Sequence, residues 1–211
     1  GELNDPCWEN AVAARPFSLS YQNAFCPYRA EALFAYSTEA LFVGIRVFDY
    51  DPAEYIPPPY PPPNDPCVAE FLISAERPET FYKVAVNSRG EVFTTQPMAN
   101  ALPWRVLPRA VLKRHSGFWV AEYLIPFEGV DLPRPDGEAS VAWRVNVGWR
   151  TETRTNYSAW AVTHAWFYEP QFYGTVVFGK SSGLYAELLA ANPAQPGHNG
   201  LPLRIRNISD R

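Results

Sequence analysis

Three observations predict an all-β chain. Apolar residues recur with a period of two over many short segments, long helix-forming runs are scarce, and proline and aromatic residues are abundant. The 211 residues include 22 Pro, 13 Phe, 12 Tyr and 7 Trp but a single Met. That proline share is about twice average usage. The expected architecture is an antiparallel β-sandwich, jelly-roll-like and immunoglobulin-sized or larger, with long decorated loops. Helix should stay below about 15%, well under the usual third.

The elements follow in order. Trp8 to Ala14 can form one or two helical turns, with Asn4 or Asp5 as N-cap and Pro6 in the first turn. Ala30–Tyr36 and Leu41–Phe48 alternate and are rich in strand formers, with Glu39 and Ala40 turning between them. Residues 49–66, DYDPAEYIPPPYPPPNDP, hold eight prolines and cannot lie inside a sheet. A stiff, extended loop is expected there. Val68–Ser74 and Phe81–Asn87 read as strands, and Ser88-Arg89-Gly90 as a hairpin loop returning into Glu91–Thr95. Arg109–His115 and Phe118–Ile125 flank a Ser116-Gly117 turn, and Pro126 stops the second of them. Val141–Arg150 places Trp143, Val145, Val147 and Trp149 on one face and Arg144, Asn146 and Arg150 on the other. Tyr157–Val162 and Thr175–Phe178 complete the set. The sandwich is therefore assigned to residues 1–179. Residues 180–211 lose the alternation until LPLRIRNISDR, and read as a linker with a strand-like stub or packed tail. The chain opens at Gly1 without an apolar signal segment, as a processed protein or an excised piece would.

Composition narrows the function. Apolar residues are 47% and charged residues 19%, enough for one core, and no run approaches about 18 uncharged apolar residues. Eighteen Lys and Arg against 22 Asp and Glu give a net charge of −4. Neither nucleic acid nor an anionic membrane is the expected partner, since both select a basic face. Cys7, Cys26 and Cys67 include no C-x-x-C pair, which disfavours a cysteine-rich zinc site. Three unpaired thiols are the favoured reading, and Cys7–Cys26 is the pair to test for a disulfide. Nucleophile-elbow, zinc-protease and phosphate-loop motifs are lacking, so an enzyme is not expected.

Several blocks stand in one order: GELNDPCWENA, LFVGIRVFD, CVAEFLIS, FYKVAVNSRGEVF, GFWVAEYLIPFEGV, WRVNVGWRTE, SAWAV and EPQFYGTVVFG. This series resembles the family-9 carbohydrate-binding modules, over residues 1–179. The resemblance implies a β-sandwich that binds carbohydrate and often carries structural calcium. It implies a non-catalytic, secreted or extracytoplasmic bacterial module, bound to plant-type polysaccharide such as xylan or cellulose, or to its chain ends. Its partners would be other domains of a larger chain, such as a glycoside hydrolase. The best-known members grip a chain end between two tryptophans. The first of these falls in the proline-rich loop, which offers Tyr60 and Tyr55. The second falls at Phe167, beside Trp166 and Tyr168. Polar partners map to Glu70 and Lys83.

The chemistry is plain. A pyranose presents apolar C–H faces and a rim of hydroxyls, so rings cover the faces while carboxylates and ammonium groups bond the rim. Trp166-Phe167-Tyr168 either forms such a platform or packs a core edge; as a platform, its first two rings are removable with little change in melting temperature. Trp8, Trp119, Trp143, Trp149 and Trp160 read as core. Glu122, Arg144 and Arg150 suit cross-strand ion pairs, and Asn146 suits backbone bonding. Asp5 and Asp49, with Glu2 and Asp51, are the candidate oxygen ligands for calcium. A related sandwich can hold b-type haem, for which Met98 and His164 are the available axial pair. A purely architectural domain is the remaining alternative.

Overall fold

The computed structural model describes residues 1–20, 24–26, 28–48, 68–75, 79–94, 100–135, 140–150, 157–164, 167–178, 184–187 and 202–205. Within them lie β1 (Val12–Ala14), β2 (Ser18–Leu19), β3 (Ala24–Phe25), β4 (Ala30–Tyr36) and β5 (Ala40–Phe48). Next come β6 (Val68–Ser74), β7 (Phe81–Asn87), β8 (Val92–Phe93), β9 (Arg109–His115) and β10 (Phe118–Pro126). The series ends with β11 (Val141–Arg150), β12 (Tyr157–Ala159), β13 (Gly174–Phe178), β14 (Leu184–Glu187) and β15 (Pro202–Ile205). Helix among the described residues is confined to 3-10 turns at Pro6–Asn10, Phe127–Gly129 and Pro170–Phe172. None of it is long and apolar enough to cross a membrane.

The strands make two antiparallel sheets. One has five strands in the order β1-β4-β5-β10-β9. The other has ten, running β15-β14-β13-β11-β12-β2-β3, with β6 on β11, β7 on β6 and β8 on β7. The expected sandwich is therefore the observed fold. The long strands fall where alternation places them, because a strand buried on one face must repeat its apolar residues every second position.

Four local expectations change. The N-terminal helical turn starts earlier than expected, at Pro6, and residues 12–14 join a sheet instead of continuing it. Asp5 is its N-cap, but no side-chain bond is made there. The Tyr157–Val162 strand stops at Ala159. The return strand after Gly90 is only Val92–Phe93. Residues expected to form a linker contain β14, which pairs with β13, and β15 pairs with β14 in turn.

The main core lies between the sheets. Ala69, Phe71 and Ile73 of β6, Val84 and Val86 of β7, and Trp143, Val145, Val147 and Trp149 of β11 meet Val43, Ile45, Trp119 and Tyr123 from the other sheet. Trp160 joins this cluster, whereas Trp8 packs with Leu3, Leu33 and Val120 on the outer face of the five-stranded sheet. Gly44 makes room for that N-terminal strap, since a Cβ there would stand 2.7 Å from Leu3 Cδ2.

The alternate residues of β6, β7 and β11 point away from the main core. They include Glu70, Leu72, Phe81, Lys83, Asn146, Gly148 and Arg150. This face is covered too. Leu72, Phe81, Tyr157, Ala159, Phe167 and Tyr173 form a second buried cluster upon it.

Candidate functional site

Adjacent antiparallel strands bring the polar residues of this outer face together. Leu72 of β6 stands opposite Lys83 of β7, and Gly148 of β11 opposite Glu70. Glu70 and Lys83 are thus diagonal neighbours, as are Glu70 and Arg150. Glu70 is 1% exposed and Lys83 2%. Lys83 Nζ lies 2.9 Å from Glu70 Oε2, and Arg150 Nε 3.4 Å from Glu70 Oε1. Tyr168 closes the cluster. Its hydroxyl accepts from Lys83 Nζ at 2.6 Å and donates to Glu70 Oε2 at 3.2 Å.

Aromatic rings frame these charges. Tyr168 stacks on Phe81 with centroids 5.4 Å apart and planes 4° from parallel. Lys83 Nζ sits 4.7 Å from the Tyr168 ring centroid, a cation–π contact. Trp104 Nε1 donates to the carbonyl of Lys83 at 2.8 Å and fixes the backbone of β7 at this point.

One carboxylate faces two cations in a nearly dry setting. Burial alone would favour the neutral acid of Glu70, but Lys83 and Arg150 outweigh it and hold the carboxyl below its ordinary range. Burial lowers the Lys83 ammonium, and the Glu70 charge opposes that shift. Burial raises the Tyr168 phenol, and Glu70 raises it further, so the hydroxyl keeps its proton. The cluster consequently offers a fixed carboxylate acceptor and fixed cationic donors at one spot.

The expected site residues divide into three groups. Glu70, Lys83 and Tyr168 come together. Phe167 does not join them as a platform: it is 2% exposed and belongs to the second buried cluster. Its ring meets Tyr157 edge-on at 5.6 Å, and its carbonyl accepts from the Tyr173 hydroxyl at 2.8 Å. Gly148 is what lets the ring approach, since a Cβ there would stand 2.9 Å from it. Phe167 and Tyr168 lie in irregular chain, not in a strand, so strand parity does not set the direction of their rings. Tyr60, Tyr55 and Trp166 lie outside the described residues, as do Asp49, Asp51, Met98 and Cys67.

Asp5 is exposed, and its carbonyl accepts the amide of Trp8 at 2.9 Å. Among the described residues no three His, Cys, Asp or Glu side chains gather as a metal would require. Exposed His164 packs against Phe172. Cys7 and Cys26 are free thiols, which corrects the disulfide alternative for that pair. Burial pushes the Cys7 thiol up to about 11, so it is a weak nucleophile.

Sequence reasoning left Arg150 as a structural ion-pair residue and did not single out Phe81. Both belong to this cluster. The available signal was parity: Arg150 shares the outward face of β11, and Phe81 the outward face of β7.

No family model matches the chain, and no curated protein matches it. Solved structures do. A carbohydrate binding module of family 9 from Caldicellulosiruptor kristjanssonii, in complex with cellotriose, superposes with a TM-score of 0.59 at 14% identity, covering 93% of each chain. A family 9 module from the same organism, in complex with glucose, gives 0.57 at 15% identity over 84% of this chain and 89% of that one. A candidate carbohydrate-binding protein from Bacteroides uniformis gives 0.51 at 13% identity, over 77% and 86%. The likeness is one of fold: this chain has a family-9-like sandwich.

Proposed function

We propose that this chain is a non-catalytic carbohydrate-binding module whose ligand docks on the outer face of the ten-stranded sheet, over Glu70, Lys83, Arg150 and Tyr168. The observation that carries the reading is buried Glu70 held between buried Lys83 and partly exposed Arg150, capped by the stacked rings of Phe81 and Tyr168. Charged groups that are costly to bury, gathered on the face away from the main core, suit the rim of a sugar. The flat ring of Phe81, which Tyr168 stacks upon, suits its C–H face. The fold shared with modules solved with cellotriose and glucose supports the same ligand class.

Glu70 is held ionised by two cations, so it accepts hydrogen bonds and has no proton to give as a general acid, while Lys83 is held by Glu70. On this reading the module concentrates an attached enzyme, such as a glycoside hydrolase, on plant polysaccharide outside the bacterial cell. Affinity should be micromolar to millimolar, as a few stacking and hydrogen-bond contacts allow. Titration calorimetry with cellotriose, glucose and xylan oligomers tests this. Lys83→Met, which keeps the bulk of the stem, should lose at least tenfold in affinity while remaining folded. Lack of binding to every sugar in a broad glycan panel would remove the reading and favour an architectural domain.

A further inference from the structure

The cluster on the outer face is already occupied by one of the protein's own hydroxyls. Tyr168 Oη accepts a hydrogen bond from the Lys83 ammonium at 2.6 Å and donates one to Glu70 Oε2 at 3.2 Å. An oxygen at this point must accept from a cation and donate to a carboxylate at once. A hydroxyl does both. A ligand carboxylate only accepts and would face Glu70; a ligand ammonium only donates and would face Lys83.

We propose that Tyr168 is a self-docked plug: its hydroxyl holds the place of a ligand hydroxyl, and a neutral sugar displaces it. The inference rests on the carbohydrate-binding reading above and narrows it to uncharged, hydroxylated ligands at this position. The geometry makes the exchange local. Phe167 is anchored by burial and by the Tyr173 bond to its carbonyl, so the main chain stays while the Tyr168 side chain turns. Tyr168 is only half-buried, whereas Phe81 beneath it is 1% exposed. Turning the upper ring out therefore frees a flat aromatic face at the same moment as both polar bonds. The sugar ring takes the place of the phenol ring, and its hydroxyl takes both hydrogen bonds. Apparent affinity is reduced by the fraction of molecules in which the plug is seated.

The test is calorimetric titration of the full chain and of Tyr168→Phe with glucose, cellotriose and glucuronate. Removing the competing hydroxyl should tighten glucose and cellotriose binding about tenfold, the equivalent of one or two hydrogen bonds no longer to be displaced. Glucuronate should bind the unaltered protein more weakly than glucose. Tyr168→Leu carries the same expectation of tighter binding should the Phe variant fail to fold. If the unaltered protein binds sugar and the hydroxyl-free variants bind equally or more weakly, the plug is wrong and the carbohydrate reading stands. Glucuronate binding as tightly as glucose would also overturn the inference. So would a cellotriose complex of the unaltered protein in which Tyr168 Oη keeps both of its bonds. If neither protein binds any sugar, the carbohydrate reading falls and the plug with it.

Discussion

Phe167 and Glu70 occupy the same face of the ten-stranded sheet and show how differently two buried side chains act there. Phe167 fills the space that Gly148 leaves, so its ring is core. Phe167→Ala should cost about 3–5 kcal/mol, read from urea denaturation, as for other buried large-to-small changes. An unchanged midpoint would restore it as an exposed platform. Glu70 is buried because two cations accompany it. Removing its charge in Glu70→Gln leaves Lys83 and Arg150 facing each other, and should cost about 3 kcal/mol. The pH dependence has a definite sign. Lys83 and Arg150 outweigh burial and depress the folded Glu70 pKa below its unfolded value of about 4.3. Its stabilisation is therefore complete above that value and is lost as pH falls through the lower, folded pKa. Acid denaturation of the unaltered protein should show this loss, and Glu70→Gln should lack it. Equal acid slopes for the two proteins would contradict the assignment.

Among the elements, β11 organises the site. One half, Val141–Val145, pairs with β13, and the other, Gly148–Arg150, pairs with β12. Between the two partners Asn146 supplies what the ladder lacks. Its side-chain amide donates to the Ala161 carbonyl at 2.9 Å, and its carbonyl oxygen accepts from the Ala161 amide at 3.0 Å. The sequence expectation that Asn146 bonds backbone is met here. Asn146→Ala would leave two backbone groups of Ala161 without these bonds, at a cost of roughly 1–3 kcal/mol. Hydrogen exchange at the Ala161 amide should accelerate more than at neighbouring β11 amides. Uniform protection in the variant would show that the change of partner needs no such bridge. The end of β12 follows from the same arrangement: the Trp160 amide still donates to the Val147 carbonyl at 2.9 Å, and the next residue, Ala161, meets the Asn146 side chain instead of a strand.

At the scale of the whole molecule, the polar cluster and the C-terminal strands lie in different parts of one sheet. Glu70, Lys83 and Arg150 stand on β6, β7 and β11, whereas β14 and β15 extend the sheet beyond β13. Deleting residues 180–211 should leave sugar affinity per folded molecule unchanged while exposing the Thr175–Val177 edge of β13. Such an edge invites pairing with other chains, so light scattering should show greater self-association. Loss of sugar binding in the truncated protein would mean that the tail shapes the site.

The sequence alone determined where the long strands form and which face of β11 meets the core, because side chains alternate strictly along a strand. Trp143, Val145, Val147 and Trp149 had one physical reading, and the structure agrees with it. The alternation also placed Arg150 off the core face, while Glu70 and Lys83 were singled out by the family resemblance. It did not show that they meet, since parity says nothing of which strands are neighbours or in what register. Residues 70, 83 and 150 come together only when β6 settles between β7 and β11. Nor could local pattern decide between Phe167 and Tyr168. They lie in irregular chain, where no period governs direction. The space above Gly148 and the waiting charges of Glu70 and Lys83 draw one ring into the core and the other onto the site.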